Sequence, residues 1–421
     1  MSHLTRWSLG FVLASLCACG QETVASGPDA SPPPEKDGAS AHDAGFAAIE
    51  DASTAWVDAS ADGVDAATRP DAAAPCVDTC PMPTGVAWEC KKRFALGTNW
   101  AWRNFGADFG GITSWGQDGV SKDPDGFDAD LTQIAGKGVN VIRWWMFPRF
   151  FSDSISFDAD GVPSGIGGTL KADIEKALEL AEAHDVYLML TLFSFDTFTP
   201  TKDEYGLHIP GLAPIVKDPA KSAKLYANLV APVAKAVEAS PYRRRMIAWD
   251  LINEPEWAMT GPSLYGDPAF EANGELEPVT HPQMETFLKG LAAEIRKHST
   301  AQLTIGSAAI KWAKAWTGVG VDFYQLHYYG WVYEWFPYMT VTPAKAGLTG
   351  KPVVMGEFPN AGLAAIPAKG YPAKTASQFA ADLWTVGYGG ALSWAYSDTS
   401  FPWSSLDLKT FGNQHTCQTQ F

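Results

Sequence analysis

From Cys90 onward the chain switches repeatedly between two hydrophobic periods. Short unbroken apolar runs, such as VNVIRWWMF at 139–147 and VYLMLTLF at 186–193, read as strands covered on both faces. Between them lie segments with helical spacing. The clearest is LKADIEKALELAEAHD at 170–185, with apolar residues at i, i+3, i+4 and i+7. Further strands are expected at FALGTNW (94–100), MIAWDLI (246–252), LTIGS (303–307), DFYQLHYYG (322–330), KPVVMGEF (351–358) and ALSWAYSD (391–398). Helices are expected at 126–138, 220–240, 283–299 and 373–387, with a weaker one around Trp335 to Lys345. AIKWAKAW at 309–316 is only a short apolar stretch. Eight strands alternating with helices predict an α/β fold that closes as a (β/α)8 TIM-type barrel. The open doubly wound sheet is the rival, but it carries a Gly-rich phosphate turn after an early strand, and GTNWAWRNFG is not that pattern. The residues after the last strand read as loop, so the eighth helix is expected to be short or absent, with Cys417 pinning the tail.

The first 75 residues have a different texture. Arg6 is followed by an apolar run, WSLGFVLASLCACG (7–20), and residues 1–18 read as a secretory signal. LCAC (Leu16–Cys19) resembles a bacterial lipobox and makes Cys19 the expected lipid-bearing residue, an anchor and not a span. Residues 19–75 are Ala, Asp, Pro and Ser with few large aliphatics. Gly20 to Pro75 holds eleven acidic and two basic residues, nine of the sixteen net negative charges. Such a stretch cannot bury enough surface to offset its ordering entropy, so it is expected to be a disordered acidic tether. The barrel domain is expected over 76–421. The chain's acidity then says little about its substrate, although a net charge of −16 counts against a nucleic-acid partner, since phosphate binding needs Lys and Arg patches. The 46% hydrophobic and 12% aromatic content, with 17 Trp, suits a globular enzyme. Four cysteines remain beyond the lipobox. An even count in a secreted chain favours disulfides, and Cys90 with Cys417 is the favoured pair, leaving Cys76 with Cys80. Zinc at Cys76 and Cys80 is the rival, but no histidine lies nearby.

Barrels of this kind carry their chemistry at the C-terminal strand ends. The polar residues at those ends are Asn99, Arg143, Ser194 and Asp196, Asn253 and Glu254, His327 and Tyr329, and Glu357. Two glutamates thus converge on one mouth from strands four and seven. Paired carboxyls flanking one bond are what glycoside hydrolysis needs, one protonated and one ionised. Arg143 and Tyr329 are placed to hold Glu357 ionised, whereas Glu254 lacks an obvious cationic partner. Glu256, beyond the proline of the same motif, reads as a solvated or loop-bracing charge. Asn253 and Glu254 are adjacent on one strand and can both reach the mouth only if the strand breaks there. By alternation Arg143 shares a face with Trp145, and Trp144 points to the helix layer. Aromatics near the strand ends, Trp145 and Trp100 among them, are candidates for stacking on sugar rings. Metal hydrolysis would want clustered His, Asp or Glu ligands, but no two histidines lie within four residues. A Ser-His-Asp hydrolase would want a Gly-x-Ser-x-Gly elbow, which GSAAI does not provide.

WDLINEPE resembles the Asn-Glu-Pro signature of the cellulase family, glycoside hydrolase family 5, in the clan of barrels with glutamates on strands four and seven. The resemblance runs in order from Phe94 to about Asp398, through GTNW, NVIRWW, HYYG, VVMGEFP and LSWAY. It implies Glu254 as acid/base, Glu357 as nucleophile and a retaining mechanism. It also implies that Asn253 holds the sugar 2-hydroxyl, that Arg143 and Tyr329 orient the nucleophile, and that His327 and Trp394 line the subsite of the reacting sugar. Asn99 and Trp145 join them as expected substrate contacts. Many members carry a histidine at the end of strand three, where this chain has Ser194, Phe195 and Asp196. NVIRWWMF looks like the mannan-cleaving members. The expected activity is internal cleavage of a β-1,4-glucan or β-mannan by a monomer, without a cofactor. The competing expectation is a non-catalytic carbohydrate-binding protein on a decayed barrel.

Overall fold

The computed structural model describes residues 77–421 apart from Tyr205 and 366–372. The signal-like run, Cys19, the acidic tether and Cys76 all lie outside the described residues. Eight parallel strands close into a barrel. They are β1 (Ala95–Trp100), β2 (Val141–Trp145), β3 (Tyr187–Thr191), β4 (Met246–Asn253), β5 (Gln302–Ser307), β6 (Tyr324–His327), β7 (Val353–Glu357) and β8 (Gly390–Ser393). Each pairs with its chain neighbours, and β8 pairs with β1 to close the ring.

Helices cover the outside. α1 (Pro124–Ala135) follows β1, α2 (Leu170–Ala183) follows β2, and α4 (His281–Arg296) follows β4. α3 follows β3 and runs from Pro219–Leu225 through a π turn at Tyr226–Val230 into Ala231–Ala239. Only a 3-10 turn, Ile310–Trp312, follows β5; the large rings of Trp312 and Trp316 fill that space, each only 3% exposed. The helix after β6 is α5 (Gly330–Trp335), which ends where the weaker pattern had suggested a start. α6 (Ala376–Thr385) follows β7. It opens on a capping box in which the Thr375 hydroxyl accepts from the Gln378 N–H while the Gln378 side chain accepts from the Thr375 N–H. The eighth position holds only α7 (Lys409–Gln414) and a further turn, as the loop-like tail implied.

Strand alternation sets the two faces of β2. Trp144 points outward, stacks on Trp100 with ring centroids 4.3 Å apart, and meets Phe127 of α1. Its N–H donates to the buried Asp108 at 2.8 Å. Burying a ring of this size removes roughly 200 Å² from water, worth about 5 kcal/mol at 25 cal/mol per Å². Trp100 thus belongs to the core between barrel and helices, fully buried, and is not a sugar platform. Inside the barrel a smaller plug of Ala95, Val141, Met189, Ala248 and Val354 fills the lower half.

The C-terminal tail runs beneath the barrel. The Phe94 N–H donates to the Gln418 carbonyl, Arg93 Nε donates to the Gln420 carbonyl, and the Phe421 ring packs on Tyr187. A disulfide fixes it there, but between Cys80 and Cys417, not between Cys90 and Cys417. Cys90 is disulfide-bonded as well, so the expected pairing of Cys76 with Cys80 is also overturned. Cys80 wins because residues 78–80 lie against the base of β1. Asp78 pairs with Arg93 at 2.7 Å, and Arg93 also donates to the Cys80 carbonyl, bringing Cys80 to 5.8 Å (Cα to Cα) from Cys417. The ends are tied together, as expected, by a different cysteine.

Candidate active site

Arg143 rises from the inward face of β2 and is completely buried. A guanidinium has five donors and no acceptor, so burial demands an oxygen in every direction. Nε and Nη2 meet Asp250 Oδ2 at 2.8 and 2.6 Å. Nη1 donates to Asn99 Oδ1 at 2.8 Å and to Glu357 Oε1 at 2.7 Å. Nη2 also donates to Asn253 Oδ1 at 2.9 Å. Asp250 is in turn held by the Thr191 hydroxyl and the Gly306 N–H. Sequence reading passed over Asp250. Its signal was an acid in the middle of an apolar strand, which needs a buried cation, and Arg143 sits in an equally apolar run.

Asn99 was expected to touch substrate, but the structure places it below the cleft. Its oxygen accepts from Arg143 and its nitrogen donates to the Gly356 and Ser393 carbonyls, with no exposed surface. It braces Arg143.

The strand does break after β4. Register slips between Asp250 and Asn253, so Asp250 and Asn253 both face inward while Leu251 and Ile252 both join the outer core. Glu254 then adopts a left-handed conformation, φ 46° and ψ 47°. That conformation is uncommon for a residue with a Cβ and costs of order 1–3 kcal/mol. It turns the carboxylate into the cleft, where Oε2 accepts the Trp257 N–H at 2.9 Å and Oε1 lies 2.7 Å from His327 Nδ1. The Glu254 side chain is 15% exposed. Glu357 ends β7, with Oε1 on Arg143 and Oε2 accepting the Tyr329 hydroxyl at 2.7 Å. His327 Nδ1 also lies 3.5 Å from Glu357 Oε1. One oxygen of each glutamate and one His327 nitrogen all lie within 4.8 Å of one another.

Burial pushes the Glu254 carboxyl up to about 7, with Asp196 adding to the rise and the Trp257 N–H and Arg143 opposing it. Burial also pushes Glu357 up, against the pull of His327, Arg143 and Tyr329. Two buried carboxyls this close do not both ionise readily, and the cation decides between them. Arg143 touches Glu357 and not Glu254, so the first proton belongs to Glu254. Burial takes His327 down to about 4, which leaves it neutral across the physiological range. Three donors could in principle meet a metal ion there. However, the Arg143 charge already occupies Glu357 Oε1, and His327 Nδ1 is engaged with Glu254.

Glu256 is not a solvated charge. It is completely buried, accepts from the Ser307 hydroxyl, the Ala308 N–H and the Trp316 N–H, and is pushed up to about 7 by burial. It braces the loop after β5 against the turn after β4.

Aromatic rings flank the carboxyls on both sides. Trp394 is half-buried at the end of β8, its N–H on Asp398, and packs on Trp145 at 5.5 Å. Trp145 is only 5% exposed, wedged between Trp394 and Trp102 with the Arg143 guanidinium over its ring. It backs Trp394 more than it faces the cleft. Across the mouth, Trp257 packs edge-on against Trp312 and Trp331.

Gly306 is required by this packing. A Cβ there would sit 2.6 Å from Arg143 Nη2 and 3.2 Å from His327 Nε2. Arg143 is held on all sides and cannot yield. Gly306→Ala is therefore expected to displace the Glu357 partner and lower kcat by about 10- to 100-fold, the scale of a 1 Å misplacement. Steady-state kinetics alongside a thermal melt checks this: an unaltered kcat would mean that the guanidinium is free to move.

No family model matches the chain. It is 25% identical over 342 residues to a mannan endo-1,4-beta-mannosidase of Mytilus edulis, covering 73% of this chain and 85% of that protein. It is 24% identical to the enzyme of the same name from Cryptopygus antarcticus, covering 73% of this chain and 81% of that one. The X-ray structure of the mussel β-mannanase superposes with a TM-score of 0.60 at 23% identity, over 78% of this chain and 95% of that one. The chain is similar to these mannan-cleaving enzymes, in keeping with its resemblance to glycoside hydrolase family 5. In this chain the two strand-end glutamates, Arg143, Asn253, His327 and Tyr329 form one hydrogen-bonded group at the barrel mouth, as their order in the sequence implied. Asn99 and Trp145 stand behind that group.

Proposed function

We propose that the protein is a retaining endo-β-1,4-mannanase. The observation that carries this reading is the glutamate pair, with oxygens within 4.8 Å and only Glu357 touching a cation. Retaining enzymes hold their carboxyls about 5–5.5 Å apart, whereas inverting ones leave about 6.5–9.5 Å for a water. The mannan-cleaving relatives support β-mannan over β-glucan.

The steps follow from the charges. Glu357, ionised, attacks the anomeric carbon while Glu254 gives its proton to the departing glycosidic oxygen. The C–O bond breaks, and a glycosyl ester to Glu357 forms. Glu254, now a carboxylate, takes a proton from water, whose oxygen attacks the same carbon and releases Glu357. Arg143 and Tyr329 hold the nucleophile's two oxygens apart and aimed. The Asn253 oxygen is occupied by Arg143, so its Nδ2 is the group that meets the sugar 2-hydroxyl. Trp394 stacks under the reacting sugar, and Trp257 and Trp331 take the leaving side. The Leu16–Cys19 run and the acidic tether support a lipid-anchored enzyme acting outside the cytoplasm, and the disulfide fits an oxidising compartment.

A polysaccharide panel tests the reading: glucomannan, galactomannan, cellulose, xylan and laminarin, with product sizes resolved. The expected outcome is a ladder of manno-oligosaccharides from the first two. Release of monosaccharide alone would overturn internal cleavage, and turnover confined to cellulose or xylan would overturn the substrate.

A further inference from the structure

The end of β3 is where the chain departs from the family pattern. The Ser194 backbone bridges in parallel to Asn253, and the 3-10 turns that follow, Phe195–Phe198 and Pro255–Ala258, pack on each other. This brings Asp196 alongside Glu254. The Ser194 hydroxyl donates to Asp196 Oδ2 at 2.9 Å and accepts from Asn253 Nδ2 at 3.4 Å. The Asn253 amide is thereby held from both ends, by Arg143 on its oxygen and by an Asp196-backed hydroxyl on its nitrogen. Among the described residues no cation lies within ion-pair distance of Asp196. Arg149, the cation whose charge reaches it, is paired with Glu204 at 3.6 Å.

We propose that Asp196 is a positioning residue for the reaction, steadying Asn253 through Ser194 and, when ionised, setting a negative charge on the Glu254 side of the cleft. The proposal rests on Glu254 being the acid/base. The groups that face Glu254 are Arg143 from β2, Asp196 from the turn after β3, Trp257 from its own turn, His327 from β6 and Glu357 from β7. His327 is neutral, and the Glu357 charge is met by Arg143 and Tyr329. Asp196 is the acid in this set with no ion-pair partner; burial pushes its carboxyl up, while the Ser194 hydroxyl and the Arg149 charge pull it back toward the ionised form. A like charge nearby favours the neutral form of a carboxyl, so it extends to higher pH the range over which Glu254 can donate.

The experiment is kcat/KM against pH on soluble galactomannan for wild type, Asp196→Asn, Ser194→Ala and Glu254→Gln. Asparagine keeps an oxygen for the Ser194 hydroxyl and removes only the charge. Losing the charge lowers the Glu254 pKa, so the alkaline limb is expected to move down by roughly one pH unit. Ser194→Ala is expected to lower kcat several-fold with little change in KM. If Asp196→Asn does not fold, Asp196→Ser gives the same readout of the limb. A limb that coincides with wild type while the wild type cleaves normally overturns the charge effect. An unchanged kcat in Ser194→Ala overturns the steadying of Asn253. A wild type that cleaves no β-glycan overturns the catalytic reading itself, and this inference with it.

Discussion

Glu357→Ala is expected to abolish hydrolysis, by on the order of 10⁴-fold or more, the scale on which members of a nucleophilic unit act. The size of the effect follows from what surrounds the carboxylate. Arg143 and Tyr329 each donate to one of its oxygens, and neither has another group to offer the anomeric carbon. Alanine leaves a space in front of a buried guanidinium, and a small anion can enter it. Azide is therefore expected to restore turnover of an activated aryl β-mannoside and to give the α-glycosyl azide, because a single displacement inverts the anomeric centre. The product's anomeric configuration, read by NMR, is the decisive measurement. Rescue of that kind at Glu254 and not at Glu357 would exchange the two roles.

Glu254→Ala is expected to behave differently. Polysaccharide cleavage falls by about 10²–10⁴-fold, the usual contribution of general acid catalysis. An aryl glycoside with a good leaving group needs no proton, so its first step survives, and azide then traps the glycosyl-enzyme as the β-azide. The pH profile gives a second check. As the proposed acid, Glu254 has to be protonated to start the reaction, and burial pushes its carboxyl up to about 7. Wild-type kcat/KM is thus expected to fall as pH rises through 7. That fall is not expected from His327, which burial pushes down to about 4. In Glu254→Ala the fall is expected to disappear for the aryl substrate. An identical alkaline limb in the variant would assign the titration to another group.

Much of this site was legible because its parts sit where strand periodicity places them. Unbroken apolar runs require a buried parallel sheet, and polar residues at the ends of such runs have few places to go except the mouth. That logic put Glu254, Glu357, Arg143, His327 and Tyr329 at one mouth, where the structure also brings them together. It failed where the deciding contact depends on backbone detail. Asn99 looked like a mouth residue, but its amide is consumed by Arg143 and two carbonyls from β7 and β8. Of the two roles open to Glu256, solvated or loop-bracing, the sequence could not choose, and three donors from β5 and the loop after it close over its carboxylate and make it the brace. The break after β4 was required by alternation, while its form, a register slip followed by a left-handed residue, is invisible in residue types. Cysteine pairing failed for the same reason: spacing cannot tell Cys80 from Cys90 when both lie within a short approach to β1.

The tail beneath the barrel has a mechanical consequence. Cys80 and Cys417 are 337 residues apart in sequence and joined by one covalent bond. A pull applied between the chain before Cys80 and Phe421 is carried by that bond and leaves the eight-strand ladder unloaded. Stretched from its ends, this domain is expected to lengthen by only the few residues outside the crosslink, and to unravel only after reduction. A load on the two ends would then leave the spacing of Glu254 and Glu357 undisturbed.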